Sequence, residues 1–420
     1  MYIAGTIFIL SYVFIASEKI NKTIVALLGA SLMLLFHIIS QDKAFEHVDM
    51  NVISLLISMM VLVKIVEQTG VFEFIAIKIA KLVKGDPFKI MVFLFLLTAF
   101  FSAMLDNITT VLLIAPVSIL LAGELKISPI PFLLSQIFAS NIGGTSTLIG
   151  DPPNIMIGSA AGLSFMDFVF NLVPLIIILL IFLSLTFYFL FGKKMKVSNE
   201  NRARIMAFDE KKLIKNPVLL HKSLIVMTFV IIGFGIHGFV DLEAATIAMT
   251  GASILIIVGK IDPDTVFKEV EWGSIFFFTG LFIMVGTLVE TGIIGIISKK
   301  MLDFTHGDVK FTAKILLWFS GGFSAIVDNI PFVATMIPLI QDMGTHLGTH
   351  AIKPLWWALS LGACLGGNGT LIGASANVII ANMAAKSGNK ISFLDFLKYG
   401  VPITLMTLLI SYFYILIRYF

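Results

Sequence analysis

The sequence predicts an all-α polytopic membrane protein, an inverted structural repeat with about ten transmembrane helices, two re-entrant hairpins and two unwound helices. Three observations predict it: an apolar composition, hydrophobic runs broken by polar residues, and an internal repeat. Of 420 residues, 58% are hydrophobic and 13% are charged, against about 25% charged in soluble domains. Lipid must therefore cover most of the chain. A soluble enzyme, a nucleic-acid binder and, with Cys364 alone, a disulfide scaffold are excluded.

Hydrophobic runs long enough to cross a bilayer, about 20 residues each, recur along the chain. We expect spans at 2–17, 23–40, 51–68, 129–162, 167–191, 221–239, 244–259, 273–290, 354–385 and 399–419. Two of them, 129–162 and 354–385, are too long and too Gly-rich for plain helices and are expected to be unwound. The runs 88–122 and 310–345 are broken by central Asp-Asn pairs, which predicts that each folds back as a re-entrant hairpin.

The long polar stretch 192–222 carries nine Lys and Arg residues and is typical of a cytoplasmic linker. It divides the chain into a first membrane repeat, 1–191, and a second, 223–420. If the spans alternate, the linker and the loops on its side hold 21 of the 29 Lys and Arg residues. This bias predicts a multi-pass protein of the plasma membrane with both termini outside.

The two halves repeat each other. Asp106-Asn107 recurs as Asp328-Asn329, and Thr147-Leu-Ile-Gly recurs as Thr370-Leu-Ile-Gly, so that the offset between the copies is almost the same at both motifs. Five crossings per half force the copies into opposite orientations, the plan of secondary transporters. The alternative, a duplicated structural bundle without transport, is disfavoured because the repeated segments are polar and membrane-buried.

Acidic and amide side chains occupy the repeated segments. A charged side chain at the bilayer centre costs at least about 2.5–3.5 kcal/mol. The positions of Asp106 and Asp328 therefore indicate a function, which we expect to be ion binding and proton coupling. The alternative is that each carboxylate only caps the returning helix of its hairpin. The predicted binding residues share polarity and a place in these motifs: Asp106, Asn107, Thr109, Asn141, Thr145, Ser146, Thr147, Asn154, Asp328, Asn329, Asn368, Thr370, Ser375 and Asn377.

The copies differ where Asp151 of the first half is replaced by Ala374 in the second. Asp151 is thus a third acid, with two roles open: proton coupling, or an N-cap of the following half-helix. No Lys or Arg lies inside the motifs. That favours a cation, a proton or a neutral hydroxylated solute over a multiply charged anion, although helix N-termini can hold anions. Cys364 is expected to be a small buried hydrophobe rather than a ligand.

These motifs resemble the ion transporter superfamily, in particular the arsenical-pump membrane protein and NhaD-type sodium/proton antiporter permeases, a group that includes the melanosomal P protein. The resemblance rests on Leu105-Asp-Asn107, Val327-Asp-Asn329, Thr147–Asn154 and Thr370–Asn377, twice and in order. It implies elevator-like alternating access and a scaffold half able to form a homodimer. It also implies a site lined by the motif Asp and Asn side chains.

Within that resemblance the favoured function is proton-coupled efflux of arsenite or antimonite, with sodium/proton antiport as the alternative. An anion or dicarboxylate transporter and an intramembrane aspartyl protease are less favoured. The expected partners are a metalloid oxyacid or monovalent cation, protons and the lipid bilayer. No cofactor, structural metal or nucleic acid is expected. Since no phosphate-binding G-x-x-x-x-G-K-[ST] loop occurs, direct ATP use would need an accessory ATPase subunit.

Overall fold

The computed structural model describes residues 1–17, 19–193 and 195–420, and these residues are helical or irregular, without a β-strand. Ten α-helices precede the linker: α1 (Tyr2–Ser17), α2 (Lys22–Leu35), α3 (Gln41–Glu46), α4 (Met50–Glu67), α5 (Val71–Leu82), α6 (Pro87–Met104), α7 (Asn107–Leu125), α8 (Ile130–Gly144), α9 (Pro152–Ala161) and α10 (Phe165–Phe187). A short π-helical turn, Tyr188–Gly192, extends α10.

The linker contains α11 (Asn199–Met206) and a 3₁₀ turn, Glu210–Leu213. The second half consists of α12 (Pro217–Ile236), α13 (Ala244–Gly259), α14 (Pro263–Phe267), α15 (Trp272–Glu290), α16 (Ile293–Thr305), α17 (Val309–Ser324), α18 (Asn329–Leu347), α19 (Lys353–Gly366), α20 (Ser375–Lys386) and α21 (Phe393–Tyr419). Each helix of the first half thus has a counterpart in the second, in the same order.

Seven helices of the described chain are long and apolar enough to cross a membrane: α4, α6, α7, α10 with its π turn, α12 with the 3₁₀ turn that follows it, α15 and α21. Helices α1, α2 and α13 are apolar but shorter. The predicted spans 129–162 and 354–385 are each two half-helices, α8 with α9 and α19 with α20, separated by irregular residues 145–151 and 367–374. The all-α membrane fold predicted from the sequence is therefore confirmed.

The helices pack as two groups. The hairpin α6–α7 packs on α8, and its counterpart α17 packs on α19. We call these hairpins, with α8–α9 and α19–α20, the hairpin bundle. Helix α2 packs on α1 and α15, and α4 packs on α13 and α12; these six form the framework bundle. Each hairpin turns at an Asp-Asn pair, because Asp106 and Asp328 are the N-cap residues of the returning helices.

Glycine allows the hairpins to approach the broken helices closely. A methyl group on Gly143 of α8 would overlap the backbone of Ala99 in α6. The same holds in the second half, where a methyl group on Gly366 of α19 would overlap the backbone of Gly321 in α17. The Gly-Gly pairs of the sequence motif therefore set the distance between each hairpin and its unwound helix.

The linker lies against the base of the first hairpin. Glu210 pairs with Lys81 of α5 at 2.5 Å, and Arg202 lies 3.7 Å from Asp86, which caps α6. We call the side of the molecule that carries these contacts the linker face. Since consecutive crossings alternate in direction, the turn between α1 and α2 also lies on the linker face, whereas the connection from α2 to α4 lies on the opposite face.

Candidate functional site

The two hairpin tips and the two unwound segments meet in the middle of the hairpin bundle. At the first tip, an Asp106 carboxylate oxygen accepts a hydrogen bond from the backbone N–H of Thr109 at 2.8 Å, and the Thr109 hydroxyl donates to the other oxygen at 2.5 Å. Asp106 therefore caps the returning helix, as one of the two interpretations of the sequence expected. These hydrogen bonds leave further lone pairs on both carboxylate oxygens for a ligand.

The second tip is held differently. One Asp328 oxygen accepts the backbone N–H of Ile330 at 3.3 Å. The other oxygen accepts the ammonium of Lys22 at 2.5 Å and the hydroxyl of Ser375 at 3.3 Å. Asp328 thus caps its hairpin helix and also carries an ion pair to the framework bundle, whereas no cation of the described chain pairs with Asp106.

Asp151 occupies the N-cap position of α9, but its side chain makes no capping hydrogen bond. Its carboxylate instead accepts from the Asn329 amide of the opposite hairpin, at 3.3 and 3.5 Å. Asp151 is only 2% exposed. Cys364 and Asn107 also lie close enough to act on this carboxylate. The side chain therefore does not cap the helix, and the coupling role of Asp151 stays a prediction.

An amide cluster of four asparagines joins the two repeats. The Asn141 amide donates to the side-chain oxygens of Asn368 at 2.8 Å and Asn377 at 3.0 Å. The Asn107 amide in turn donates to Asn141 at 3.4 Å. The Asn368 amide nitrogen is fully buried and has no hydrogen-bond partner among the residues that the structure describes. An unpaired buried donor is costly, so this nitrogen is suited to a bound ligand or water.

Two asparagines hold the unwound backbone in matching ways. The Asn154 amide donates to the carbonyls of Thr145 and Thr147 at 3.1 and 2.9 Å. The Asn377 amide donates to the carbonyls of Gly367 and Thr370 at 2.8 and 3.0 Å. The carbonyls that the helix leaves unpaired are therefore satisfied by side chains.

Hydroxyl groups tie the unwound segments to the hairpins. Thr147 donates to the carbonyl of Ala103, and Thr370 donates to that of Ala325. The hydroxyls of Thr145 and Ser146 remain local, bonding the carbonyls of residues 141 and 143. Of the predicted site residues, these four hydroxyls thus support the segments rather than line a cavity.

A central cavity of about 50 Å³ separates the two hairpin tips. It is small, with room for roughly one or two water molecules or a cation. Its lining contains all three acids and both amides of the tips: Asp106, Asn107, Asp151, Asp328, Asn329 and Ser375, with Ile108, Pro152, Ile330, Ala374 and Ala376. The described residues contain no cluster of His, Cys, Asp and Glu arranged as a metal centre.

A second cavity, of about 280 Å³, adjoins the central one. Both are lined by Asp328 and Ser375, and Lys22 lines the second. A cavity of about 680 Å³ on the opposite face, near Glu46 and Asp342, shares no lining residue with the central cavity. The central cavity therefore lies next to this second cavity, which we call the linker-face cavity, and shares no wall with the cavity on the opposite face.

Charged side chains surround the end of the site that is nearest the linker face. Burial raises the pKa of Glu271, which precedes α15, and the neighbouring Asp106 carboxylate raises this pKa further. Lys64 and Lys22 act in the opposite direction. Acids and bases of both bundles therefore interact at this end of the site.

Sequence reasoning missed Lys22 and Ser360. Lys22 lies in a loop between two predicted spans and counts there only toward the charge bias, while its partner is 306 residues away. The Ser360 hydroxyl donates to the Asn154 side-chain oxygen at 2.6 Å. Cys364, which occupies the repeat position of Asn141, is buried and lies 3.7 Å from that oxygen. Only the repeat itself could have indicated that Cys364 faces Asn154.

Broken helices and hairpin tips that enclose a buried acidic cavity define a multi-pass membrane transporter. The chain belongs to the citrate transporter family, CitMHS, which residues 12–362 match.

Relatives that match nearly the whole of this chain support this membership. An uncharacterized transporter of Mycobacterium tuberculosis is 43% identical over 100% of this chain and 98% of its own. An uncharacterized transporter of Synechocystis sp. is 30% identical over 94% of this chain and 93% of its own. The P protein of Mus musculus is 31% identical over 97% of this chain, which spans 59% of that protein.

A solved structure shares the fold. The Alcanivorax borkumensis YdaH transporter, described as having an unusual topology, matches with a TM-score of 0.57 over 92% of this chain and 88% of its own. The two sequences are 13% identical, so the likeness concerns the fold alone. The predicted resemblance to the ion transporter superfamily and to the P protein is thus confirmed, and the family within it is the citrate transporter family; membership in the arsenical-pump or NhaD-type group stays a prediction.

Proposed function

We propose that this protein is a secondary active transporter that couples a small cation to proton movement, with Asp106, Asp151 and Asp328 as the exchanging groups. One observation carries the proposal: three carboxylates line a single buried cavity of about 50 Å³. Several carboxylates around one small cavity cannot all remain ionised without a counter-charge, and Lys22 offsets the charge of Asp328 alone. A cation or a proton supplies that charge, so loading one displaces the other.

The charge of the cavity bears on the substrate. A free polycarboxylate would meet three acids and one lysine that is already paired, so it would be repelled. Citrate, the substrate in the family description, would lose most of its charge as a complex with a divalent cation, but the central cavity of about 50 Å³ would have to widen to admit that complex. The geometry therefore favours a cation, or an anion accompanied by one.

Proton-coupled efflux of arsenite or antimonite is a second candidate. The observation that favours it is the amide cluster, in which the buried Asn368 nitrogen lacks a partner within the described chain. A neutral trihydroxy acid offers oxygens to such donors and brings no charge into the site. Cys364 argues little either way, because one buried thiol cannot form a thiolate cage.

Transport in proteoliposomes with a pH gradient tests these proposals. The purified chain is supplied in turn with Na⁺, Li⁺, arsenite, antimonite, citrate, and citrate with Mg²⁺, while internal pH is followed by a trapped dye. Proton movement with a monovalent cation supports the first proposal. Movement with arsenite alone supports the second, and movement with citrate only when Mg²⁺ is present supports the complex. Uptake of free citrate without any cation or proton contradicts the coupling mechanism.

We further propose that the linker face is cytoplasmic and both termini are outside. The reason is the concentration of Lys and Arg in the linker and in loops on its side. The linker-face cavity, which adjoins the central one, would then lie on the cytoplasmic side, and the conformation described here would be inward-facing.

A further inference from the structure

The ion pair between Lys22 and Asp328 joins two parts of the fold. Lys22 is the first residue of α2, in the framework bundle, and Asp328 forms the tip of the second hairpin. Their side chains are 33% and 15% exposed, and the Lys22 ammonium also donates to Ser375 at 3.2 Å. The ammonium lies 5.2 Å from the centre of the Phe277 ring of α15 as well. The Lys22 cation therefore lies against one framework ring and is bonded by two side chains of the hairpin bundle.

The Asp328 end of this pair lies where the two cavities adjoin. Asp328 and Ser375 line both of them, and Lys22 lines the one next to the linker face. A cation that binds at either cavity wall formed by Asp328 meets the carboxylate that Lys22 already occupies. Since a carboxylate in a confined site attracts either cation strongly, the two compete for it.

The repeat does not supply an equivalent pair at the first hairpin. The position equivalent to Lys22 in the second repeat is Ala244, and the equivalent of Asp328 is Asp106, which is bonded by Thr109 instead. The ion pair is therefore a feature of one repeat and not a general means of holding hairpin tips.

We propose that Lys22 is a built-in counter-cation, which occupies Asp328 when the site is empty and is displaced when the transported cation binds. This inference rests on the proposed cation coupling. While paired, Lys22 fixes the hairpin bundle to the framework in the conformation described here, in which Asp328 lines both the site and the linker-face cavity. Displacement releases the hairpin tip, so cation loading and bundle movement are linked. Lys22 is thus a positioning residue that acts through Asp328.

Transport kinetics of Lys22→Gln provide the first test. Without its competitor, the transported cation should bind more tightly, and its apparent KM should fall about fivefold, the effect of an ion pair of ordinary strength. Because release becomes slower, kcat should fall as well. Lys22→Arg should restore both values, and Lys19→Gln, which removes an exposed cation from the same loop, should leave them unchanged. Equal KM values in Lys22→Gln and Lys19→Gln would overturn the proposal.

Thiol labelling tests the conformational part and needs no transport. Val378 lines the linker-face cavity, so Val378→Cys in a Cys364→Ala background reports whether that cavity is open. Lys22→Gln and Asp328→Asn should each slow labelling by a similar factor, and the double variant should be no slower than either one. Labelling rates that Lys22→Gln leaves unchanged, or effects that add in the double variant, contradict the proposal. If the wild type moves no cation but both variants still slow the labelling, the cation-coupling proposal fails. The role of the ion pair in holding the two bundles together is then supported on its own.

Discussion

Asparagine is the residue on which this site depends, because its amide can donate to a carbonyl while its oxygen accepts from another side chain. Asn154 shows both functions: it satisfies backbone carbonyls of the unwound segment and accepts from Ser360. Asn141 joins the repeats in the same way. Without such side chains, broken helices would expose unpaired carbonyls in a place without water.

Replacement of Asn154 by Ala should therefore destabilise the protein by about 2–3 kcal/mol, because it leaves buried carbonyls and the Ser360 hydroxyl unpaired. Thermal unfolding in detergent measures the effect. Asn199→Ala is the matched control, since Asn199 is exposed at the first position of α11. If the two variants unfold at the same temperature, Asn154 does not hold the unwound segment.

Asp106→Asn and Asp328→Asn should each lower proton-coupled flux about 10- to 100-fold, since each removes a charged ligand of the cavity. Flux into proteoliposomes is the measurement. Asp264→Asn, an exposed acid in α14, is the control and should retain wild-type flux. Retained proton coupling in both cavity variants would show that these carboxylates do not exchange the ion.

At the level of elements, the hairpins were the most predictable feature. Their predicted limits, 88–122 and 310–345, differ by only a few residues from α6–α7 and α17–α18. The reason is physical: an Asp-Asn pair in an apolar run must end one helix and cap the next. The amphipathic helices α5 and α16 were not predicted, because their length and composition do not distinguish them from loops between spans.

The contact between hairpin and broken helix gives a prediction at this scale. Gly143→Ala should destabilise the protein by about 1–3 kcal/mol, because the added methyl group overlaps the Ala99 backbone, which cannot move aside easily. Gly123→Ala, in α7 of the same hairpin, is the control, since no described atom lies within 4 Å of the added group. Thermal unfolding should show a lower midpoint for the first variant alone. Equal midpoints mean that the contact tolerates a side chain.

For the whole molecule, the sequence predicted that the motifs of the two repeats face each other. It did not predict that Lys22 of the framework bundle pairs with one of them. The nearly constant offset between the repeats pairs the tips and the unwound segments, so the cavity follows from symmetry. The ion pair of Lys22 with Asp328 breaks that symmetry, and only the three-dimensional structure reveals it because the two residues lie 306 positions apart. Orientation in the membrane likewise remains a prediction from charge.

Cysteine labelling checks the orientation. Glu200→Cys in a Cys364→Ala background, at a linker side chain that is 80% exposed, should react only with a reagent applied from the cytoplasm. Glu243→Cys, exposed before α13 on the opposite face, should react only from outside. Ile205 is unsuited to this purpose because it is fully buried. Reversed labelling of the pair would invert the proposed topology.

Attachment of the linker should depend on pH. The hydrogen bond from Lys81 lowers the pKa of Glu210 below its ordinary value of 4.5. Because the bound state favours the ionised acid, the contact stabilises the linker above that value and is lost as the pH falls through the lowered pKa. A spin label at position 199 should become more mobile in that acidic range, and Glu210→Gln should be mobile at every pH. Equal mobility of both proteins at pH 7 would show that the ion pair does not hold the linker.

The replacement of Asp151 by Ala374 in the second repeat has an energetic consequence. If two identical inverted halves exchanged conformations during transport, the inward and outward end states would have equal free energies. Unlike residues at equivalent positions remove that equality, and each difference of about 1.4 kcal/mol changes the ratio of the two states about tenfold. Under the proposed alternating access, ion gradients would still decide the direction of net transport. The sequence difference would decide on which side the binding site of the empty protein is open, and hence which compartment's concentration controls its turnover.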